Sequence, residues 1–373
     1  MSFNQYTWDL YKQTTIGIEM IKYFSDAGGY VLFKDYCPYA NFIPEDLYND
    51  WLENIYCYGV SDYDHPSSLE EAKDLYISLI TLGIRVEGQQ WLPANDFKNM
   101  LGIIQPMSYV LSQFAPEYFF PYLFLCRIFE LNKIADFFNI DLPNIPKRTD
   151  YKGRCMYYWE LCEVFYLFRK ENGLSPADLW SFLYDFAPNN LPSEKIDMPK
   201  PSQVWFIGGR LYQEDKSLES KFWQSSPETK KGDILVHYET SPISAITCIE
   251  TSLTDGVIDP LFRYYGCIYI GNRINIPHIT LKELQTDEYF FKHPLVRKNF
   301  QGVNGWSVNS ENYSELLRMI KTKGFDIEVL PKLYAPTLPK DVIIEYEHDV
   351  EQQLLEPLLN SMGWYENKDF IRQ

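Results

Sequence analysis

A chain of 373 residues, 46% apolar and 17% aromatic, is long enough to fold as two or three domains, each burying its own core, and this composition excludes a disordered protein. The formal net charge of −17 is unevenly spread: 15 basic against 27 acidic residues over Met1–Pro199, 16 against 16 over Lys200–Lys332, and 3 against 8 over Lys340–Gln373. Binding a polyanion needs local cations, so only the neutral middle segment suits a nucleic acid. The acidic N-terminal part is expected to be scaffold, or a surface for a protein partner or self-association.

The longest apolar stretch, Tyr118 to Leu131, is broken by Pro121 and Arg127 and is too short to span a membrane. Met1 to Leu10 lacks the basic-then-apolar layout of a signal peptide, so a cytoplasmic protein is expected. Seven cysteines without C-x-x-C spacing, several in apolar runs, read as buried structural thiols. The five histidines show no H-x-x-x-H or H-E-x-x-H pattern, and no bound cofactor is expected.

Residues 1–198 read as an all-helical domain. Ser68-Leu-Glu-Glu71 is a capping box, followed at helical spacing by Leu69, Ala72, Leu75, Tyr76 and Leu79 up to Gly83. Cys155, Tyr158, Trp159, Cys162, Phe165 and Tyr166 repeat that spacing up to Gly173. Ser175-Pro176 opens a further helix, with Leu179, Phe182, Leu183 and Phe186 on one side. A stack of bases could use such aromatic stripes, but buried helix faces are the expectation. Pro188 to Pro201, rich in proline and asparagine, reads as a linker.

Beyond it the period changes to that of strands: Gln203–Ile207, Asp233–Tyr238, Ile243–Glu250 and Phe262–Ile270. Lys231-Gly232, Ser241-Pro242, Thr254-Asp255-Gly256 and Gly271-Asn272 are the turns between them. Short strands with frequent turns predict a small β-barrel rather than a parallel sheet. Helices decorate it, one started by Thr280-Leu-Lys-Glu283 and one capped by Ser310 with Tyr313, Leu316, Leu317 and Ile320. Pro331 to Pro339 reads as a second linker. Past it Val350, Leu354 and Leu358 form a helical row, with Leu355, Leu359 and Met362 beside it and Gly363 ending the helix.

The ordered set in residues 199–335 resembles an EVE domain, a branch of the PUA/YTH-like barrels. The matching residues are Trp205 on the opening strand, Lys231-Gly-Asp-Ile-Leu-Val-His-Tyr238, the following strand from Ile243, Ile279–Leu284, Pro294-Leu-Val-Arg-Lys-Asn-Phe-Gln-Gly302 and Ser310–Ile320. The resemblance implies a reader of modified bases, flipped or single-stranded, in an aromatic-walled pocket. The physics agrees with such a reader, because a base offers two flat faces to aromatic walls and a polar edge to one or two side chains. Candidate walls are Trp205, Trp223, Tyr238 and Trp306, candidate edge readers Ser241 and Asn304, and candidate phosphate contacts Lys292, Arg297 and Lys298. Trp205 and Tyr238 could equally fill the barrel interior. Trp306, in the loop Val303-Asn-Gly-Trp306, is favoured as a wall because a large exposed aromatic calls for a purpose.

Residues 341–373, from Tyr346-Glu-His-Asp-Val-Glu351 through Pro357 to Trp364 and Ile371-Arg-Gln373, are similar to the opening helix of the nuclease domain of type I restriction R subunits. That likeness implies a catalytic role for Glu351 (or Glu347) beside Mg²⁺ and implies that the chain is a fragment of a longer endonuclease. The remaining acids and the lysine of such a site are missing here. An ordinary acidic amphipathic helix is the other reading. The expected function is recognition of nucleic acid, DNA before RNA and modified bases above all, within a restriction or phage-defence protein. The alternative is an RNA-binding or protein-interaction module without nuclease activity.

Overall fold

The structure is a computed structural model that describes residues 3–38, 40–86, 89–192, 198–210, 220–334, 344, 346–362, 364–367, 369 and 371. The middle of the first linker, most of the second and the helix stop expected at Gly363 lie outside these residues. The chain divides into two compact units, Met1–Glu194 with Ile258–Tyr265, and Lys195–Val257 with Gly266–Gln373.

The first unit is built on helices whose ends follow the sequence. Ser68 accepts from Glu71 N at 3.1 Å to start Leu69–Leu82, which stops at Gly83 with φ 75°, a backbone region that favours glycine. The apolar stripe Ala72, Leu75, Tyr76 and Leu79 is buried. Asp150 caps Tyr151–Glu171, whose Cys155, Tyr158, Trp159, Cys162 and Phe165 are buried. Ser175 and Asp178 form a capping box over Pro176–Ser181. Each fully buried large apolar side chain contributes roughly 1.5–3 kcal/mol.

The unit is not purely helical, which corrects the sequence expectation. β1 (Ile84–Val86) and β2 (Gln89–Leu92) pair antiparallel. A second difference is the segment Ile258–Tyr265, which packs here although it is distant in sequence. The buried Asp259 carboxylate accepts from Cys126 N at 2.9 Å and from Leu261 N and Phe262 N at 3.0 and 3.1 Å. Arg154 donates to the carbonyls of Pro260 (2.8 Å) and Phe262 (2.7 Å), and Tyr265 Oη to that of Pro146 (2.6 Å). These bonds fix Asp259–Tyr265, seven residues that belong to no helix or ladder.

The second unit is a curled mixed sheet, a half-barrel with helices against it. Its strands are β3 (Val204–Gly209), β4 (Ser220–Gln224), β5 (Ile234–Glu239), β6 (Ala245–Ser252), β7 (Val257–Ile258), β8 (Gly266–Thr280) and β9 (Trp306–Val308). The order is β4-β8-β6-β5-β3-β9, with β7 paired to β8. β3 and β5 run parallel, and the other neighbours along this path run antiparallel. The turn expected at Gly271-Asn272 is instead an irregularity inside the long β8, where Asn272 takes φ 51° and the β6–β8 register shifts nearby.

Because side chains alternate across a strand, the sheet presents two apolar faces. Val204 and Phe206 of β3, Ile234, Val236 and Tyr238 of β5, and Ile246 and Ile249 of β6 pack with Leu295, Tyr313 and Leu316 of the flanking helices. The opposite face carries a smaller core of Trp205, Ile207, Leu235, Ile268 and Ile270, with Trp223 against it.

The C-terminal helical stretch Glu347–Ser361 contains a π-helical segment, Glu351–Leu355, directly before Pro357. The wider turn accommodates a proline that lacks the N–H of a regular helix. None of its residues is buried. Beyond it, Lys230 Nζ lies 4.7 Å from the centre of the Trp364 ring and pairs with Asp369.

Candidate functional site

The residues expected to wall one pocket are divided by the sheet. Phe206 pairs with Trp306 across β3 and β9, so Trp306 sits on the helix-covered face, half-buried, with its ring 6.5 Å from that of His293. Tyr238 lies on the same face, 3% exposed, and stacks on Phe300 with ring centres 4.0 Å apart and planes 3° off parallel. Both its π-face and its burial leave it as core.

Trp205 and Trp223 lie on the other face. Trp205 is 2% exposed and donates its indole N–H to Asp233 at 2.9 Å. That carboxylate also accepts from Lys230 N (2.8 Å) and Gln203 N (3.1 Å), which ties the Lys231-Gly232-Asp233 turn to the start of β3. Trp205 therefore holds the fold and offers no free face to a ligand. Ser241 sits in an exposed turn before a cis bond to Pro242, its carbonyl accepting from Arg210 Nε at 3.2 Å. Nothing places its hydroxyl with the aromatic residues.

The pair that the structure does bring together is Trp223 and Asn304. Asn304 Oδ1 accepts from Trp223 Nε1 at 3.2 Å and from Gly208 N at 2.8 Å, while its Nδ2 faces Gln224 Oε1 at 3.4 Å. The close approach explains Gly208-Gly209. A Cβ on Gly209 would stand 2.5 Å from the Trp223 ring, and one on Gly208 would stand 2.4 Å from the Val303 side chain.

Beside Trp223 lies a polar group buried in the same sheet. The rings of Trp223 and His237 meet edge to face, centres 4.7 Å apart. His237 and Cys248 are cross-strand partners in β5 and β6. His237 Nδ1 lies 2.9 Å from Glu250 Oε2, and Arg273 Nε donates to Glu250 Oε1 at 2.7 Å. Burial opposes the charge on Glu250, yet the His237 and Arg273 contacts outweigh it and hold the carboxyl below the usual carboxylate range. Burial, reinforced by Glu250, pushes the Cys248 thiol up to about 12. His237 Nε2 is buried and has no hydrogen-bond partner among the described residues. The sequence carries a signal for this group, since a histidine in Ile234-Leu-Val-His-Tyr238 and a glutamate in Ala245-Ile-Thr-Cys-Ile-Glu250 interrupt apolar strands.

Lys292, Arg297 and Lys298 are exposed, and none forms an ion pair among the described residues. Lys292 lies 5.0 Å from the Phe291 ring centre. Glu351, half-buried in the C-terminal helix, belongs to no group of three metal-donor side chains among the described residues. No helix of the described residues is long and apolar enough to cross a membrane.

Fold and site together define an α+β protein of two units, one mainly helical and one a helix-flanked half-barrel bearing a polar-aromatic group. No family model matches the chain, and no curated protein matches it. Among solved structures it is similar to an NMR structure of a Rhodopseudomonas palustris protein, 13% identical over 32% of this chain and 94% of that one, with a TM-score of 0.28. It is similar also to a hypothetical protein from Leishmania major, 11% identical over 33% of this chain and 98% of that one, with a TM-score of 0.27. Likeness at this level assigns no function.

Proposed function

We propose that the half-barrel unit is an EVE-type reader that binds nucleic acid, DNA before RNA, and recognises a modified base as the recognition part of a restriction or defence protein. The observation that carries this reading is the half-buried Trp223 indole, its N–H edge held by Asn304 beside a row of polar side chains. An indole fixed along one edge keeps a π-surface in place for stacking without losing rotamer freedom on binding. Balanced charge over Lys200–Lys332 and the exposed cations Arg297 and Lys298 favour this unit over the acidic helical one as the polyanion partner. The wall is Trp223 with Asn304 as its support, whereas Trp306 belongs to the opposite face.

The test is fluorescence anisotropy with oligonucleotides carrying modified cytosine or adenine, against their plain twins. Trp223→Ala should weaken binding to the preferred modified strand roughly five- to a hundredfold, the loss of one base–aromatic stack of about 1–3 kcal/mol. Circular dichroism should show the variant folded. If the folded variant binds as tightly as the parent, or the parent discriminates among none of the strands, the reading is wrong.

A further inference from the structure

The His237–Cys248–Glu250 group has a property that base reading does not require. A ring nitrogen of His237, the sulfur of Cys248 and a carboxylate oxygen of Glu250 lie within 4.8 Å of one another, all three side chains buried. Three donor types, nitrogen, sulfur and oxygen, converge on one spot of the sheet because β5 and β6 place His237 and Cys248 opposite each other and Glu250 two residues on. We infer that this group is a binding site for a thiophilic divalent ion such as Zn²⁺, with His237 Nε2 and the Cys248 thiolate as protein ligands and Glu250 as the carboxylate that orients the imidazole.

Two features argue for the ion over an inert buried cluster. A neutral imidazole that donates Nδ1–H to a carboxylate keeps its lone pair on Nε2. In His237 that nitrogen is buried without a partner among the described residues, which leaves it free to act as a donor to an ion. Metal-bound histidines show the same arrangement, one nitrogen on a carboxylate and the other on the ion. The Glu250–Arg273 pair already balances the orienting carboxylate, so it need not leave its partners when the ion enters. The cation would supply a positive charge that converts the thiol to thiolate and releases one proton.

The test is titration of the whole reduced chain with Co²⁺ and then Zn²⁺. One equivalent of Co²⁺ should produce a thiolate-to-cobalt charge-transfer band, and one equivalent of Zn²⁺ should bleach it. Cys248→Ser should abolish the band and His237→Gln should weaken binding at least a hundredfold. Glu250→Gln, which removes only the orienting charge, should weaken it roughly 10- to 100-fold. Cys57→Ser, at the exposed cysteine, should change nothing. Hydrogen exchange over β5 and β6 separates loss of binding from loss of fold, because a folded Cys248→Ser that still gives the band overturns the inference. So does a parent chain showing no stoichiometric band, or a band that disappears with Cys57→Ser.

Discussion

Replacing Trp205 by Phe tests whether that indole is a structural anchor. The substitution keeps an aromatic ring on β3 but deletes the N–H that reaches Asp233 at 2.9 Å, with donor and acceptor residues 2% and 1% exposed. A hydrogen bond to a charged group contributes about 1.5–3 kcal/mol, and the smaller ring leaves a gap worth about another 1 kcal/mol. The expected loss is therefore about 2.5–4 kcal/mol of local stability. Asp233→Ala should cost about 3–5 kcal/mol, because it strands the indole and the amides of Lys230 and Gln203 together. In the double variant the two losses should fall short of additivity by about 1.5–3 kcal/mol. Two units make a single global unfolding curve ambiguous, so the readout is native-state hydrogen exchange of peptides from β3 and β5. Trp205→Phe should speed the slowest amides there roughly seventy- to a thousandfold. Exchange altered less than about twofold, with unaltered fold, would refute the anchor and return Trp205 to the candidate walls.

Burial pushes the fully enclosed Asp259 carboxyl up to about 6 from 3.8, against the pull of its backbone donors. The folded unit then holds that proton more tightly than the unfolded chain, so this contribution grows as pH falls from about 6 to 3.8 and fades above 6. It is worth at most about 3 kcal/mol, and thermal melts of Asp259→Asn should lose that part of the pH dependence. An unchanged pH profile in the variant would contradict the assignment. If Arg297 or Lys298 neutralises a phosphate, alanine at either should lower the slope of log affinity against log salt by about 0.9 for duplex DNA and weaken modified and plain strands alike; an unchanged slope would remove that residue from the interface. Glu351 belongs to no group of three metal-donor side chains among the described residues, so Mg²⁺ should leave plasmid DNA intact with this chain. Nicking that Glu351→Ala abolishes would show a site built elsewhere than expected.

Helix ends in the first unit were readable because capping is local. Ser68 and Ser175 act on amides three residues away. The β1–β2 hairpin was hidden because Ile84–Val86 and Gln89–Leu92 are too short to establish a period. Phe262–Tyr265 has strand-like composition, but the Phe262 carbonyl accepts from Arg154, a partner over a hundred residues away in sequence that no local pattern reveals. The candidate site suffered from the same limit. Alternation shows that Trp205 and Phe206 point apart, but only the register of β3 with β9 puts Trp306 on the side of Phe206. Composition favours aromatic residues, whereas the buried group contains a histidine and a glutamate that interrupt apolar strands and a cysteine that looks ordinary, and only strand pairing brings the three together.

The helical unit borrows Ile258–Tyr265 from the far side of four strands, and this orders events during synthesis. A ribosome that has made only residues 1–194 has released a domain whose Arg154 guanidinium and Cys126 amide still await their acceptors. Release of the native helical half must wait for the half-barrel's central strands to be translated. A gene fragment cut at the first proline-rich linker would encode a chain permanently in that waiting state, while supplying the missing octapeptide in trans offers it a route to completion.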